Sequence, residues 1–270
     1  MNITFIGGGN MAAALIGGLL QQGYLAAQIR VVEINAEARK KINCEFSVAA
    51  MEELDDGIAG SNVILLAVKP QHLSSVARKL APLLKMHLVI SVVAGIKTKE
   101  ICRWLEGYTR VIRAMPNTPA LVRAAVTGLF ALPEVSTEEK QNAEIILEAV
   151  GSVLWVEREE LLDAVTAVSG SGPAYVFYFM EALQQAGREL GLNDTQSRQL
   201  SLETFLGAAK LVSLSKENIA ALRAKVTSKN GTTEHAIQAM ENDGINRKII
   251  RAVHASYERS RELGNEFGNK

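Results

Sequence analysis

The sequence predicts an α/β fold: a doubly wound, mainly parallel sheet in the first half of the chain, followed by an all-helical second half. Three observations predict it. From residue 1 to about 157, short β-branched runs alternate with helical patterns, which is the signature of βαβ units. Beyond residue 158 the strand patterning stops, and only helical stretches broken by Ser, Gly and Asn remain. The chain has 270 residues, 48% of them apolar, enough for a sizeable core. The expected domains are therefore 1–157 and 158–270.

Taken in order, the strands are read at Ile3–Ile6, Ile29–Glu33, Val63–Val68, Leu88–Val93, Arg110–Ala114, Val126–Ala131 and Val153–Val156. Between them lie helical stretches such as Met11–Gln22, Gln71–Leu84 and Thr137–Val150, the last opened by a Ser136/Thr137 cap with Glu in its first turn. The second half reads as helices over Glu159–Val168, Ala174–Leu190, Thr195–Ser213, Glu217–Val226, Glu234–Glu241 and Ile245–Leu263. One of these contains Tyr175-Val176-Phe177-Tyr178-Phe179-Met180, which is apolar on every helical face. That is more than one small helical domain easily buries. A partner subunit is the expected cover, and the plain alternative is a helix central to its own domain.

Composition narrows the function. Acidic and basic residues balance at 29 each, without the electrostatic footprint of a nucleic-acid or membrane-surface binder. A small-molecule partner is expected instead. No apolar run reaches membrane-spanning length, and the N-terminal residues do not read as a signal peptide. Cys44 and Cys102 are far apart and lack His neighbours at ligand spacing, so neither a disulfide framework nor a metal site is expected. A reducing, cytoplasmic location fits this usage.

The residues Gly7-Gly8-Gly9-Asn10-Met11-Ala12 follow the first strand and open a helix, matching G-x-G-x-x-G/A in the context that makes the pattern meaningful. Gly7 permits the tight turn, Gly9 lets backbone approach a pyrophosphate, and the helix start offers free N–H groups to the phosphates. This is the mark of a Rossmann-type dinucleotide-binding domain. Glu33 ends the second strand 24 residues beyond Gly9, near the offset of the carboxylate that binds the adenosine ribose. It favours NADH, since a carboxylate there repels a 2′-phosphate that Arg39 and Lys40, further along, only partly offset. The alternative is a solvated Glu at a strand end. Two more strand ends converge on the same sheet edge, Ala67-Val68-Lys69-Pro70 and Ser91-Val92-Val93-Ala94-Gly95, and Lys69 is expected near the nicotinamide. A further strand leads into Met115-Pro116-Asn117-Thr118-Pro119, a loop stiffened by two prolines.

Together with Val168-Ser169-Gly170-Ser171-Gly172-Pro173-Ala174-Tyr175 and Val226-Thr227-Ser228-Lys229-Asn230-Gly231-Thr232-Thr233, these motifs make the sequence closely resemble pyrroline-5-carboxylate reductases over nearly its whole length. The resemblance implies NAD(P)H-dependent reduction of a cyclic imine, pyrroline-5-carboxylate, to proline in the last step of proline synthesis. It also implies a homodimer through the helical domain, often stacked into a larger ring such as a decamer. Carried over, the cofactor contacts fall on Ile6, Gly7, Gly8, Gly9, Asn10 and Met11, on Ala67, Val68, Lys69 and Pro70, and on Val92, Val93 and Ala94, with Glu33 at the ribose. The substrate falls to Lys69, Thr166, Ser228, Gly231, Thr232 and Thr233. Its carboxylate lies on the backbone of Gly231 to Thr233, and the Thr233 hydroxyl near the ring nitrogen is the catalytic contact. The competing reading is that Thr232 or Thr233 merely caps a helix beginning at Glu234.

The sequence departs from the usual family pattern at three places. Asn230 stands where a second Gly is common, tolerable if the backbone there is left-handed. Ala167 replaces a Gly before the Ser-Gly-Ser-Gly-Pro turn, and Glu33-Ile34-Asn35 lacks the small polar or Arg-bearing segment that often holds a 2′-phosphate. A protonated imine is already electrophilic, so no strong acid is required, and His72, His87, His235 and His254 read as structural or surface residues. Two alternatives remain open. One is a hydroxyacid dehydrogenase of similar architecture, which needs a Lys or His donor where this helical half presents Ala174, Tyr175 and Phe177. The other is a dinucleotide-binding protein without turnover.

Overall fold

The apolar residues of each early strand alternate between two faces, and both faces are covered. The structure, a computed structural model, describes residues 1–268. Its strands are β1 (Ile3–Ile6), β2 (Ile29–Val32), β3 (Ala49–Met51), β4 (Val63–Leu66), β5 (Leu88–Ser91), β6 (Val111–Met115), β7 (Ala125–Ala131) and β8 (Gly151–Trp155). They form one sheet in the order β3-β2-β1-β4-β5-β6-β7-β8. The run from β3 to β6 is parallel, β7 runs antiparallel to β6, and β8 is parallel to β7. The parallel part has the Rossmann strand order, which reverses direction between β1 and β4.

The helices of this half are α1 (Asn10–Gln21), α2 (Ala36–Phe46), α3 (Leu54–Ile58), α4 (Pro70–Leu80), α5 (Thr98–Trp104), α6 (Thr137–Glu148) and α7 (Leu161–Val165). Ile3, Phe5, Val63 and Leu65 pack on one face with Leu15 and Ile16 of α1 and Ile146 of α6. Ile6, Ile64 and Leu66 pack on the other with Leu73 of α4 and Trp104 of α5. The alternation follows from the two-residue period of a strand. Each such fully buried side chain contributes roughly 1.5–3 kcal/mol relative to exposure. Ser136 caps α6 in a capping box with Glu139, as expected from the sequence.

The helical half comprises α8 (Gly172–Glu189), α9 (Asp194–Leu214), α10 (Ile219–Lys225), α11 (Thr232–Asn242) and α12 (Ile245–Gly268). By its contacts the chain divides into two compact units. One holds residues 1–171 and the chain from Ser256 onward, and the other holds Gly172–Ala255. The change of sequence grammar near 157 therefore marks the end of β8, whereas the units separate after the next two turns of helix. The reason is that Leu162 and Asp163 of α7 are buried in the first unit, and Ser260 of α12 donates to Asp163 at 2.7 Å. The expected helix Glu159–Val168 is instead short α7 followed by a π-helical turn, Thr166–Gly170.

Candidate cofactor cleft and substrate loop

The first unit opens a cleft of about 1050 Å³ beyond the carboxyl ends of β1, β2 and β4, at the point where strand order reverses. Gly7 turns there with φ +101°, and a side chain at this position would lie 2.7 Å from the Ala67 carbonyl oxygen. Glycine is thus required by both backbone conformation and space. Gly9 is the N-cap of α1 and has open space where a Cβ would stand. No side chain caps α1, and its first turn holds no acidic residue. The N–H groups of its first turn and its positive dipole end are therefore left open, as an anion site requires.

The β2 end supplies the second element. Glu33 accepts hydrogen bonds from the backbone N–H of Gly8 at 2.8 Å and of Asn35 at 2.9 Å, so its carboxylate is fixed over the glycine loop. It is not the free, solvated residue of the plain alternative. The same bond uses the Gly8 N–H, leaving Gly9 and the α1 start as the open donors of the loop. Lys69 is the N-cap residue of α4, with Pro70 at its first position, so the strand end turns sharply into the helix.

Of the expected cofactor residues, Ile6, Gly7, Gly8, Gly9, Glu33, Ala67, Val68 and Lys69 line the cleft together. Asn10, Met11, Pro70, Val92, Val93 and Ala94 are not on its wall. Val93 is buried. The wall also carries residues that the sequence reading passed over, notably Ile34, Glu52, Asp55, Asp56 and Lys79. Glu52 follows β3, a strand of Ala-Ala-Met with no β-branched residue to announce it. His72, read as structural or surface, is exposed and lines the cleft.

The loop around Asn117 is held from two sides. Its side-chain amide donates to Ser169 at 3.0 Å, and its carbonyl oxygen accepts from the Val126 N–H at 3.1 Å. The first bond ties the Met115–Pro119 loop to the π-helical turn that contains Thr166, and the second ties it to β7. The Thr166 hydroxyl itself donates to the Leu162 carbonyl at 2.8 Å.

In the second unit, the loop before α11 turns at Asn230 with φ +58°, the left-handed conformation for which Asn is suited. Gly231 is the N-cap, and a Cβ there would fall 2.6 Å from the Ser228 hydroxyl. The capping reading of Thr232 and Thr233 is corrected: α11 begins at Thr232, not Glu234, and no side chain caps it. Both threonines are exposed, and their N–H groups belong to the open first turn. Among the described residues no group of His, Cys, Asp or Glu is arranged to hold a metal. No helix of the described residues is long and apolar enough to cross a membrane.

The sheet order, the glycine turn and the open α1 terminus define a dinucleotide-dependent oxidoreductase of the Rossmann type. A family model described as pyrroline-5-carboxylate reductase dimerisation matches residues 159–263, and one described as NADP oxidoreductase, coenzyme F420-dependent, matches residues 2–95. The pyrroline-5-carboxylate reductase of Pseudomonas aeruginosa is 46% identical over 98% of both chains, and that of Pasteurella multocida 41% identical over 98% of both. A solved pyrroline-5-carboxylate reductase from Coxiella burnetii superposes with a TM-score of 0.92 at 40% identity, covering 97% of this chain and 98% of that one. The Plasmodium falciparum enzyme, solved with NADP bound, superposes at 0.87 with 26% identity, covering 98% of each. This chain belongs to the pyrroline-5-carboxylate reductase family. A 3-hydroxyisobutyrate dehydrogenase from Mycobacterium tuberculosis, at 14% identity and a TM-score of 0.52, shares the fold alone.

Proposed function

We propose that the protein reduces 1-pyrroline-5-carboxylate to L-proline with NADH or NADPH, as a cytoplasmic homodimer that stacks into a larger ring such as a decamer. The observation that carries this reading is relatedness along the whole length, 46% identity over 98% of each chain to a protein of that name. When bound, the dihydronicotinamide supplies a hydride. Gly7, Gly9 and the start of α1 hold the pyrophosphate, Glu33 meets the adenosine ribose, and Ala67 to Pro70 with Val92 to Ala94 flank the nicotinamide. With Glu33 at the ribose, NADH is used at least as well as NADPH.

The substrate carboxylate rests on the N–H groups of Gly231, Thr232 and Thr233, where the open helix terminus favours an anion. Lys69, Thr166 and Ser228 are the other residues that the family resemblance assigns to the substrate. The hydroxyl oxygen of Thr233 accepts from the protonated ring nitrogen, which keeps its proton, and so orients the C=N carbon. Positioning supplies most of the acceleration, since the iminium carbon is already electrophilic. In this reading residues 158–270 serve both dimerisation and substrate binding. The test is steady-state oxidation of NADH and NADPH with pyrroline-5-carboxylate, with proline quantified. Proline formed one-for-one with cofactor consumed is expected. Turnover of 2-oxo acids instead would make the protein a hydroxyacid dehydrogenase, and no turnover of either would leave a binding protein.

A further inference from the structure

We infer that Glu52 is a determinant of cofactor choice, acting by holding Arg39 away from the 2′-phosphate position of the cleft. The inference rests on the reading that the cleft takes a nicotinamide dinucleotide. Arg39 lies near the start of α2, directly after the β2 end that carries Glu33. Its Nη1 donates to the carbonyl oxygens of Glu33 at 2.7 Å and Ile34 at 2.9 Å, and its Nη2 donates to the Glu52 carboxylate at 2.8 Å. These three bonds fold the guanidinium into the turn between β2 and α2. Glu33, Ile34, Asn35, Ala38 and Glu52 line the cleft, whereas Arg39 does not.

This is the turn at which a Rossmann domain distinguishes a ribose hydroxyl from a ribose phosphate, either by a carboxylate or by a nearby arginine. The chain has both groups, and a second carboxylate decides between them. Glu33 is fixed by Gly8 and Asn35, so it does not swing away from an incoming phosphate. The Arg39 side chain is only 21% exposed and already paired, so its charge is answered before any ligand arrives. The other cations on the wall, Lys69 and Lys79, stand on the segment after β4 rather than on this turn. Loss of the Glu52 charge frees one edge of a planar, phosphate-matching fork. Glu52 is 58% exposed, and pairs of this kind add little to stability, so its replacement leaves the fold in place.

The experiment compares the wild type, Glu52→Gln, Arg39→Ala and the double variant. Dissociation constants for NADH and NADPH come from fluorescence titration, with a thermal melt of each variant. In Glu52→Gln the affinity for NADPH relative to NADH is expected to rise on the order of tenfold, the worth of one hydrogen bond to a charged group. NADH binding changes by less than about twofold, and the gain disappears in the double variant. A ratio that stays within twofold of wild type overturns the inference. So does a gain that survives the loss of Arg39, because simple repulsion would then account for it. If wild type binds neither dinucleotide, the cofactor reading itself fails; if it binds NADH and the ratio does not move, only the role of Glu52 fails.

Discussion

The two units solve the burial problem differently. In the first, apolar residues of both sheet faces are sealed by helices, and side chains as large as Phe5 and Trp104 are almost wholly removed from solvent. In the second, among the described residues, Ser197 and Ser201 are the buried side chains and no apolar side chain is. Its α8 and α9 approach closely through small residues: the Ser201 hydroxyl donates to the Met180 carbonyl at 2.9 Å, and a Cβ at Gly187 would meet the Ser197 hydroxyl at 2.8 Å. Meanwhile Phe177 of α8 is 61% exposed, and Leu206 and Leu211 of α9 are exposed as well. So many exposed large apolar side chains are unusual for a unit without a partner, and this is the part that the dimerisation family model matches. The first unit buries its apolar side chains in its own core, whereas the second leaves its large ones exposed.

Substitutions that act on only one side of this contrast sharpen it. The largest effect is expected from Phe177→Asp, which is tolerable in an isolated chain but places an unpaired charge inside a dimer. Size-exclusion chromatography with light scattering should find no dimer, and a dimeric, fully active variant would locate the interface elsewhere. Next is Glu159→Ala in the first unit. Glu159 pairs with nearly buried Arg113 at 3.1 Å and accepts from the Thr98 N–H and hydroxyl at 2.6 and 2.7 Å. Removing one partner of a buried pair costs about 3–5 kcal/mol, so the midpoint of chemical denaturation should fall steeply while the cleft-lining residues stay unaltered. A change under about 1 kcal/mol would show that Arg113 is solvated on its own.

Smallest is Thr233→Ala. With the backbone donors of α11 retained, only the hydroxyl is lost, and kcat/KM for the imine should drop on the order of tenfold, as for one hydrogen bond to a charged group. The melting temperature and NADH affinity should hold. Because the hydroxyl caps nothing, a large loss of stability would contradict the geometry of the α11 start.

The contrast between units also separates what is legible in sequence from what is not. β1 is legible to the residue, and the Ser136 cap of α6 from its spacing, because local chemistry decides both. Strands read as Val63–Val68 and Leu88–Val93 end two residues sooner, at Leu66 and Ser91. Apolarity continues there, but the chain leaves the ladder, after β4 to line the cleft and after β5 to turn toward Gly95. The helix read to Leu84 stops at Leu80 and tightens into a 3-10 turn, since Pro82 has no N–H to continue it. β3, and with it Glu52, was silent because three residues carry no period, and its place is set by pairing with β2. The glycine loop was legible from motif and context, while the bond from Gly8 to Glu33 depends on a distance between segments that no spacing rule records.

Helix α12 begins in the helical unit and ends in the first one, where Gly264 packs so closely on Gly95 that a Cβ would fall 2.5 Å from the Gly95 carbonyl oxygen. The Arg103 guanidinium also donates to the Gly268 carbonyl. The second unit is thus an insertion between two pieces of the first, and synthesis meets them in an awkward order. A ribosome delivers the sheet and its other helices early, but the segment that closes over the Val92–Gly95 turn comes last. The first unit therefore completes its packing only after the helices between its two pieces have been synthesised, when their apolar residues are already exposed.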